Sequence, residues 1–420
     1  MLALFPDSAR VEGGELELGG VGASMLAERF GTPLLVYCEE TVRAQAQRFR
    51  DAVGSEGRLF YGTKAFPNVA LLRLLREEAV GADVASAGEL AFARAAGLAG
   101  GDLVVHGNNK DEALLREAAR EGAPVVLDAP DEVELAAAAG VRHILVRVTL
   151  GVDADTHEAV VTGHHGSKFG LPPVVAEDAV ARALSQGLDA LGLHVHVGSQ
   201  LPDFTAQGET IERLAAFAVR CRDSLGWVVR VADLGGGFGI RHHPEEHVPE
   251  ADELARVACS KGREAFAAEG LPEPEIWLEP GRALVGRAGV TLYRVGAVKR
   301  LEERTWVAVD GGMSDNPRPQ LYDARYAALS AARADEEPDE QVSVAGMHCE
   351  SGDVLIDDAA LPSPRRGDLL AVPATGAYTL AMSSNYNGVG RPAAVLVGGG
   401  EARRVRRRET ADDLLTLEST

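Results

Sequence analysis

Chemically competent side chains recur in this chain where short apolar runs end. Lys64 follows LFYGT, Glu89 lies just past ADVAS, and His106–Gly107–Asn108–Asn109 follows LVV. Arg147 ends the run HILV, His194 and His196 end LGLHVH, and Gly235–Gly236–Gly237 follows VADL. Glu279–Pro280–Gly281–Arg282 comes after IWL. Each group has a plain reading beside a chemical one. A lysine at a strand end is most often a solvated rim charge, but in a pocket its amine can form a Schiff base. A triple glycine is usually a turn, yet only glycine lets successive backbone N–H groups close on an anion. A neighbouring arginine such as Arg282 strengthens the phosphate reading. Glu279 is either a structural ion-pair partner or a carboxylate that holds a protonated ring nitrogen. His194 and His196, two residues apart, point the same way on a strand and could bind metal. Such a site needs more ligands at the other run ends. Those supply Lys, Arg, Gly and Asn, with Asp128 the one obvious carboxylate besides Glu279, so no metal is expected. The cluster HHPEEH (His242–His247) reads as a polar surface loop.

The elements that must position these groups follow from periodicity. Eight apolar runs read as strands: Leu59–Thr63, Ala82–Ser86, Leu103–His106, Pro124–Asp128, His143–Val148, Gly192–Val197, Val228–Leu234 and Ile276–Glu279. Stretches of helical period lie between most of them, such as NVALLRLLREEA and DEALLREAAREG. This alternation predicts an α/β fold, a parallel (β/α)8 TIM-type barrel, in which catalytic groups sit at the C-terminal strand ends and phosphate at the loops after strands seven and eight. All the run-end groups then line one mouth. Beyond residue 286 the grammar turns β-rich (VTLYRVGAVKR, TWVAVDGG, PAAVLVGGG), predicting a C-terminal all-β sandwich or barrel domain. Leu34–Tyr37 reads as a strand that joins it. The expected division is an N-terminal arm over 1–37, the barrel over 38–285 and the β-domain over 286–420. Arg333–Glu340 and Pro362–Asp368 read as loops.

Composition narrows the class. The chain has 420 residues, 46% of them hydrophobic, enough for a large core. Its net charge of −21 argues against nucleic acid or an anionic membrane as partner. The run RRVRRR at Arg403–Arg408 is short, and a solvated strand end accounts for it. Cys38, Cys221, Cys259 and Cys349 are scattered without a CxxC pair, which fits a reducing cytoplasm. No signal peptide or membrane-spanning run is apparent.

A lysine, a phosphate nest, an imidazole able to stack on a ring and a carboxylate at one mouth together describe a site for pyridoxal 5'-phosphate. In detail the chain resembles the diaminopimelate decarboxylase family, within the alanine-racemase-like, fold type III pyridoxal phosphate decarboxylases. The matching stretches include YGTKAFPN (61–68), GADVASAGEL (81–90), HGNNK (106–110), THEAVVTGHHGSKFG (156–170), HVHVGSQL (194–201), DLGGGFG (233–239), LEPGR (278–282), DGGMSDNPRPQLYDARY (310–326), HCESGD (348–353) and GAYTLAMSSNYNG (376–388). Small departures are KAFPN, where KANPN is common, and Gly390, where Pro is frequent. The resemblance implies that Lys64 holds the cofactor covalently, that His196 stacks on its ring and that Glu279 pairs with the ring nitrogen. It implies that Ser199, Gly236, Gly237, Gly281, Arg282 and Tyr378 gather the phosphate. Arg282, Arg318, Tyr322, Glu350 and Tyr378 would bind substrate, with Cys349 and Glu350 reaching the site from the second subunit of a homodimer and Cys349 acting as proton donor. The implied reaction converts meso-2,6-diaminopimelate to L-lysine and CO2, the last step of lysine biosynthesis. Two arginines suit a substrate that keeps one carboxylate. A related decarboxylase acting on another amino acid or a polyamine precursor, such as carboxynorspermidine or a carrier-tethered amino acid, is the alternative. A catalytically dead relative fits poorly, because Lys64, Cys349 and Tyr378 are all present.

Overall fold

The computed structural model describes residues 1–152, 167–201 and 203–419. Of the stretch 156–170, residues 156–166 therefore lie outside the described residues. The chain separates into two compact units, one of residues 45–239 and 248–283, the other of 1–44, 240–247 and 284–420.

The first unit is a closed, all-parallel eight-stranded barrel. Its strands are β1 (Arg58–Gly62), β2 (Gly81–Val84), β3 (Leu103–Val105), β4 (Val125–Leu127), β5 (His143–Arg147), β6 (Asp189–His194), β7 (Val231–Asp233) and β8 (Glu275–Leu278). The register Leu278↔Leu59 between β8 and β1 closes the ring. Near-continuous apolar runs suit strands covered on both faces. Phe60, Val104, Val126, Leu145, Val231 and Trp277 fill one cluster of the barrel core, with the Phe60 and Trp277 rings 5.0 Å apart. Helices follow the strands, and local chemistry starts and stops them. Asn68 Oδ1 accepts the N–H groups of Ala70 and Leu71 at 3.0 and 3.2 Å where α1 (Val69–Glu77) begins. Ser86 and Asp111 do the same for α2 (Ala87–Ala96) and α3 (Glu112–Glu121), and both helices end on a left-handed glycine.

All eight expected strands exist, but the end of β6 differs. The expected strand ran to Val197, whereas the ladder stops at His194. Its neighbour β7 ends at Asp233, whose carbonyl still accepts the Val195 N–H at 2.9 Å, and the chain turns away at Gly235 (φ +68°), so the regular ladder goes no further. His194 and His196 therefore do not sit together on one strand. Residues 38–44, 240–247 and 284–285 cluster with the second unit although the sequence division gave them to the barrel.

The second unit is β-rich. Leu34–Cys38 pairs antiparallel with Gly289–Arg300 and parallel with Ala393–Gly398, so the N-terminal strand is interior to the sheet. A three-stranded sheet (Arg10–Glu12, Glu15–Leu18, Val21–Gly22), which the sequence reading did not include, packs Leu16, Leu18 and Val21 into the same core as Leu34 and Val36. Glu401–Arg406 is a strand paired with Ala393–Gly398, which accounts for the basic run. Among the described residues no helix is long and apolar enough to cross a membrane.

Candidate active site

The C-terminal ends of the barrel strands surround a cavity of about 310 Å³. Lys64, His196, Gly236 and Glu279 line it together, joined by Asp83, His106, Arg147 and His194. Lys64 sits in a single 3-10 turn (Thr63–Ala65) directly after β1. That turn is tied down by Thr63 Oγ1, which donates to the Asp83 carbonyl at 2.6 Å. The Gly62 N–H donates to the Pro280 carbonyl at 3.3 Å, which links the end of β1 to the loop from Glu279 to Arg282.

The triple glycine is packed from every side. A Cβ on Gly236 would stand 2.3 Å from the Glu279 carbonyl oxygen, and one on Gly237 would stand 2.3 Å from that of Gly198. Gly237 also has φ +96°, so glycine is required there twice over. The Gly236 N–H points at His196 Nδ1, 3.3 Å away. Arg282, 7% exposed, donates from Nη2 to Ser199 Oγ at 3.3 Å. Gly281 passes so close to Gly62 that its Cα lies 3.5 Å from where a Cβ on Gly62 would be.

Glu279 is buried, and an imidazole faces each of its oxygens. His106 Nε2 lies 2.6 Å from Oε1 and His194 Nε2 lies 3.2 Å from Oε2. The two rings meet edge to face at 4.9 Å. Burial works to raise the Glu279 carboxyl, but His106 and His194 outweigh it and hold it well below the usual range. The imidazoles diverge. Burial lowers His106, yet Glu279 and Asp83 (Oδ1 3.9 Å from Nε2) outweigh burial and its proton is held more tightly than usual. His194 has only the longer contact, and burial lowers it to about 4. Burial and the Lys64 charge push His196 well below its ordinary value, leaving a neutral ring. Burial raises Asp83 to about 6, and burial together with the Glu279 charge raises Asp233 well above the carboxylate range. His106, His194, Asp233 and Glu279 each bring one potential ligand atom within 4.8 Å of the others. Two ligands on one tetrahedral zinc stand about 3.3 Å apart, so the 2.6 Å contact is a hydrogen bond and not a coordination edge.

The other expected groups resolve as follows. Glu89 Oε2 accepts the Ala85 N–H at 2.7 Å, a helix-start contact at the cavity rim. Asp128 takes the Gly170 N–H at 2.8 Å and faces Arg147 Nη1 at 3.5 Å, while the Arg147 guanidinium lies 4.7 Å from the Phe169 ring centre. Arg318, Tyr322, Cys349, Glu350 and Tyr378 belong to the second unit. Arg318 is 4% exposed and donates to the Tyr326 hydroxyl from the first turn of a short helix that ends at Tyr322. The Tyr322 hydroxyl is 4.0 Å from Met382 Sδ, and Tyr378 adopts φ +58°. Cys349 and Glu350 are exposed on a turn held by Asp353, whose carboxylate takes the N–H groups of His348 and Met313. His242 is no surface residue. It is 3% exposed against the Tyr326 ring, and the Glu246 carboxylate accepts its N–H at 2.7 Å. Asp83, Asp233 and the contact of His106 to Glu279 were missed as site features. Their signal was an acid inside an otherwise apolar strand, which a buried strand tolerates only with a partner.

Residues 39–286 match the family model described as the pyridoxal-dependent decarboxylase, pyridoxal binding domain. The chain belongs to this family. It is similar over 99% of its length to the diaminopimelate decarboxylases of Actinosynnema pretiosum subsp. auranticum (47% identical, 95% of that protein covered) and Bacillus subtilis (43%, 98% covered). Among solved structures it resembles the diaminopimelate decarboxylase of M. jannaschii in complex with L-lysine, at TM-score 0.92 and 32% identity, covering 99% of this chain and 98% of that one. It also resembles the lysine/ornithine decarboxylase of Vibrio vulnificus with putrescine, at TM-score 0.77 and 25% identity over 89% and 96%. The residues present fit the family's cofactor. The glycine cradle has no room for a side chain, one lysine opens on the cavity, and the buried carboxylate is held ionised.

Proposed function

We propose that this protein decarboxylates meso-2,6-diaminopimelate to L-lysine and CO2 with pyridoxal 5'-phosphate, the last step of lysine biosynthesis. The observation that carries the reading is the meeting of Lys64, His196 and the doubly clamped Glu279 in one cavity, in a chain whose near-full-length relatives bear that activity in their names. Pyridoxal phosphate, when bound, supplies an electron sink for the carbanion left by loss of CO2. Lys64 binds it through the ε-amine, and the glycine cradle with Ser199, Gly281, Arg282 and Tyr378 takes the phosphate. His196 covers the ring as a neutral imidazole, and Glu279 holds a proton at the ring nitrogen.

The remaining residues read the substrate. Arg318, with Tyr322, Arg282 and Tyr378, binds the carboxylate that survives, since a guanidinium fork matches a carboxylate in plane. Glu350 takes the distal ammonium, and Cys349 delivers the proton that replaces CO2. The exposure of the turn carrying Cys349 and Glu350 supports a homodimer in which each subunit lends it to the other's site. The enzyme works in the cytoplasm on a small molecule, without nucleic acid or membrane. Incubation with meso-diaminopimelate, reading lysine and CO2 by mass spectrometry, tests the assignment. Turnover of ornithine, lysine or carboxynorspermidine in preference would replace the substrate.

A further inference from the structure

Glu279 is one carboxylate with two unequal clamps. His106, just past the end of β3, approaches Oε1 at 2.6 Å, and Asp83 from β2 lies behind the same nitrogen at 3.9 Å. His194, the last residue of β6, approaches Oε2 at 3.2 Å, and its Nδ1 is buried without a partner among the described residues. A short contact between buried opposite charges is strong because little solvent screens it, whereas a longer contact to a neutral ring yields at small cost. The carboxylate torsion of a glutamate is otherwise broad. An anchor on one oxygen fixes the plane and leaves the other oxygen to exchange its partner.

We propose that His106 is a positioning residue: by holding Oε1 of Glu279 it reserves Oε2 for the ring nitrogen of the cofactor, with His194 the partner that yields. The inference rests on the reading of Glu279 as the ring-nitrogen partner. The charged and titratable groups around the pair are Asp83 (β2), Arg147 (β5), His194 (β6), Asp233 (β7), Lys64 after β1 and Glu89 from α2. With carboxylates on both sides and little solvent, the His106 imidazole keeps its proton and Glu279 stays ionised where it would otherwise take one up.

Two amide variants separate reach from polarity. The Gln side chain brings its N–H2 to the place of imidazole Nε2, whereas that of Asn stops near Nδ1. Protein freed of cofactor is titrated with pyridoxal phosphate, following tryptophan fluorescence, and the visible absorption of the reloaded protein is followed from pH 6 to 9. His106→Gln should bind the cofactor within about threefold of wild type, and His106→Asn should lose about tenfold or more, since Oε1 is then buried without a donor. Because Gln lacks the imidazolium charge, the acid limb of its spectral titration should also move to higher pH. Two variants alike, whether both near wild type or both equally weakened, would overturn the proposal, as would an unmoved spectral titration in His106→Gln. No amino-acid substrate enters these measurements. Failure on meso-diaminopimelate would therefore sink the substrate reading alone.

Discussion

Lys64 and Lys110 both lie near the barrel mouth, and their surroundings assign them opposite tasks. Lys110 has no side-chain exposure and is spent on Glu132 Oε2 at 2.9 Å and the Gly107 carbonyl at 2.5 Å. Lys64 opens on the cavity. Lys64→Ala should abolish the visible absorption of the bound cofactor, and borohydride reduction with peptide mapping should label Lys64 and leave Lys110 unmodified. At Arg318 the expectation is a change of ratio. Losing a bidentate contact to the surviving carboxylate costs about 30- to several-thousand-fold in kcat/KM, and Arg318→Lys should recover only part of it. Lysine lacks the second carboxylate, so the preference for meso-diaminopimelate over lysine should collapse. An unchanged ratio would make Arg318 structural. His194 gives a pH signature. Its folded value, about 4, lies below the ordinary value of 6.5, so the unfolded chain binds more protons between those limits and stability falls as pH drops from 6.5 toward 4. His194→Asn should lose less stability over that window, read by urea unfolding at pH 7 and pH 4.5. Sequence made Lys64, His196, the glycines and Glu279 legible because each follows an apolar run. It could not show that His106 and Asp83 converge on Glu279, because they come from β2 and from the ends of β3 and β8, and only the closed barrel brings them together.

At the scale of elements, legibility followed burial. The barrel strands stood out as apolar runs bounded by Gly, Asn or charge, and their helices as capped amphipathic stretches. The N-terminal sheet was harder, since Glu12, Glu15 and Glu17 break up its apolar content. Its signal was the pair of turns Gly13–Gly14 and Gly19–Gly20, all at positive φ between +57° and +85°, as a two-residue hairpin turn demands. Among the described glycines of the barrel strands, the one with least room for a side chain lies where β6 meets β7. A Cβ on Gly192 would stand 1.8 Å from the Val231 carbonyl oxygen, beside the irregular register at Ala190/Gly192. Gly192→Ala should cost about 1–3 kcal/mol, as overpacking does. Gly187→Ala, at φ +74° with nothing within 4 Å, should cost only about 1 kcal/mol of backbone strain. Urea midpoints of the two variants make the comparison. Equal losses would mean that β6 can shift to accept a side chain.

For the whole molecule the decisive experiment is a mixture. Lys64→Ala and Cys349→Ala subunits should each be inactive alone, and mixing them should restore activity through hybrid sites that hold both wild-type residues. Recovery should approach about a quarter of wild type if exchange is complete and one site in each mixed dimer is intact. No recovery, with exchange demonstrated by mass, would put both residues in one subunit's site. Another consequence lies in the strand Leu34–Cys38, whose two sheet partners, Gly289–Arg300 and Ala393–Gly398, are separated from it by the entire barrel. A chain leaving the ribosome makes this strand before the barrel and its last partner well after it. The barrel, contiguous apart from the loop 240–247, can close first, while Leu34–Cys38, all five residues destined for burial, waits with both edges unpaired. Vectorial synthesis thus leaves this strand longest at risk, and a chain cut short before residue 393 would carry a finished barrel and the strand Leu34–Cys38 without the partner on one edge.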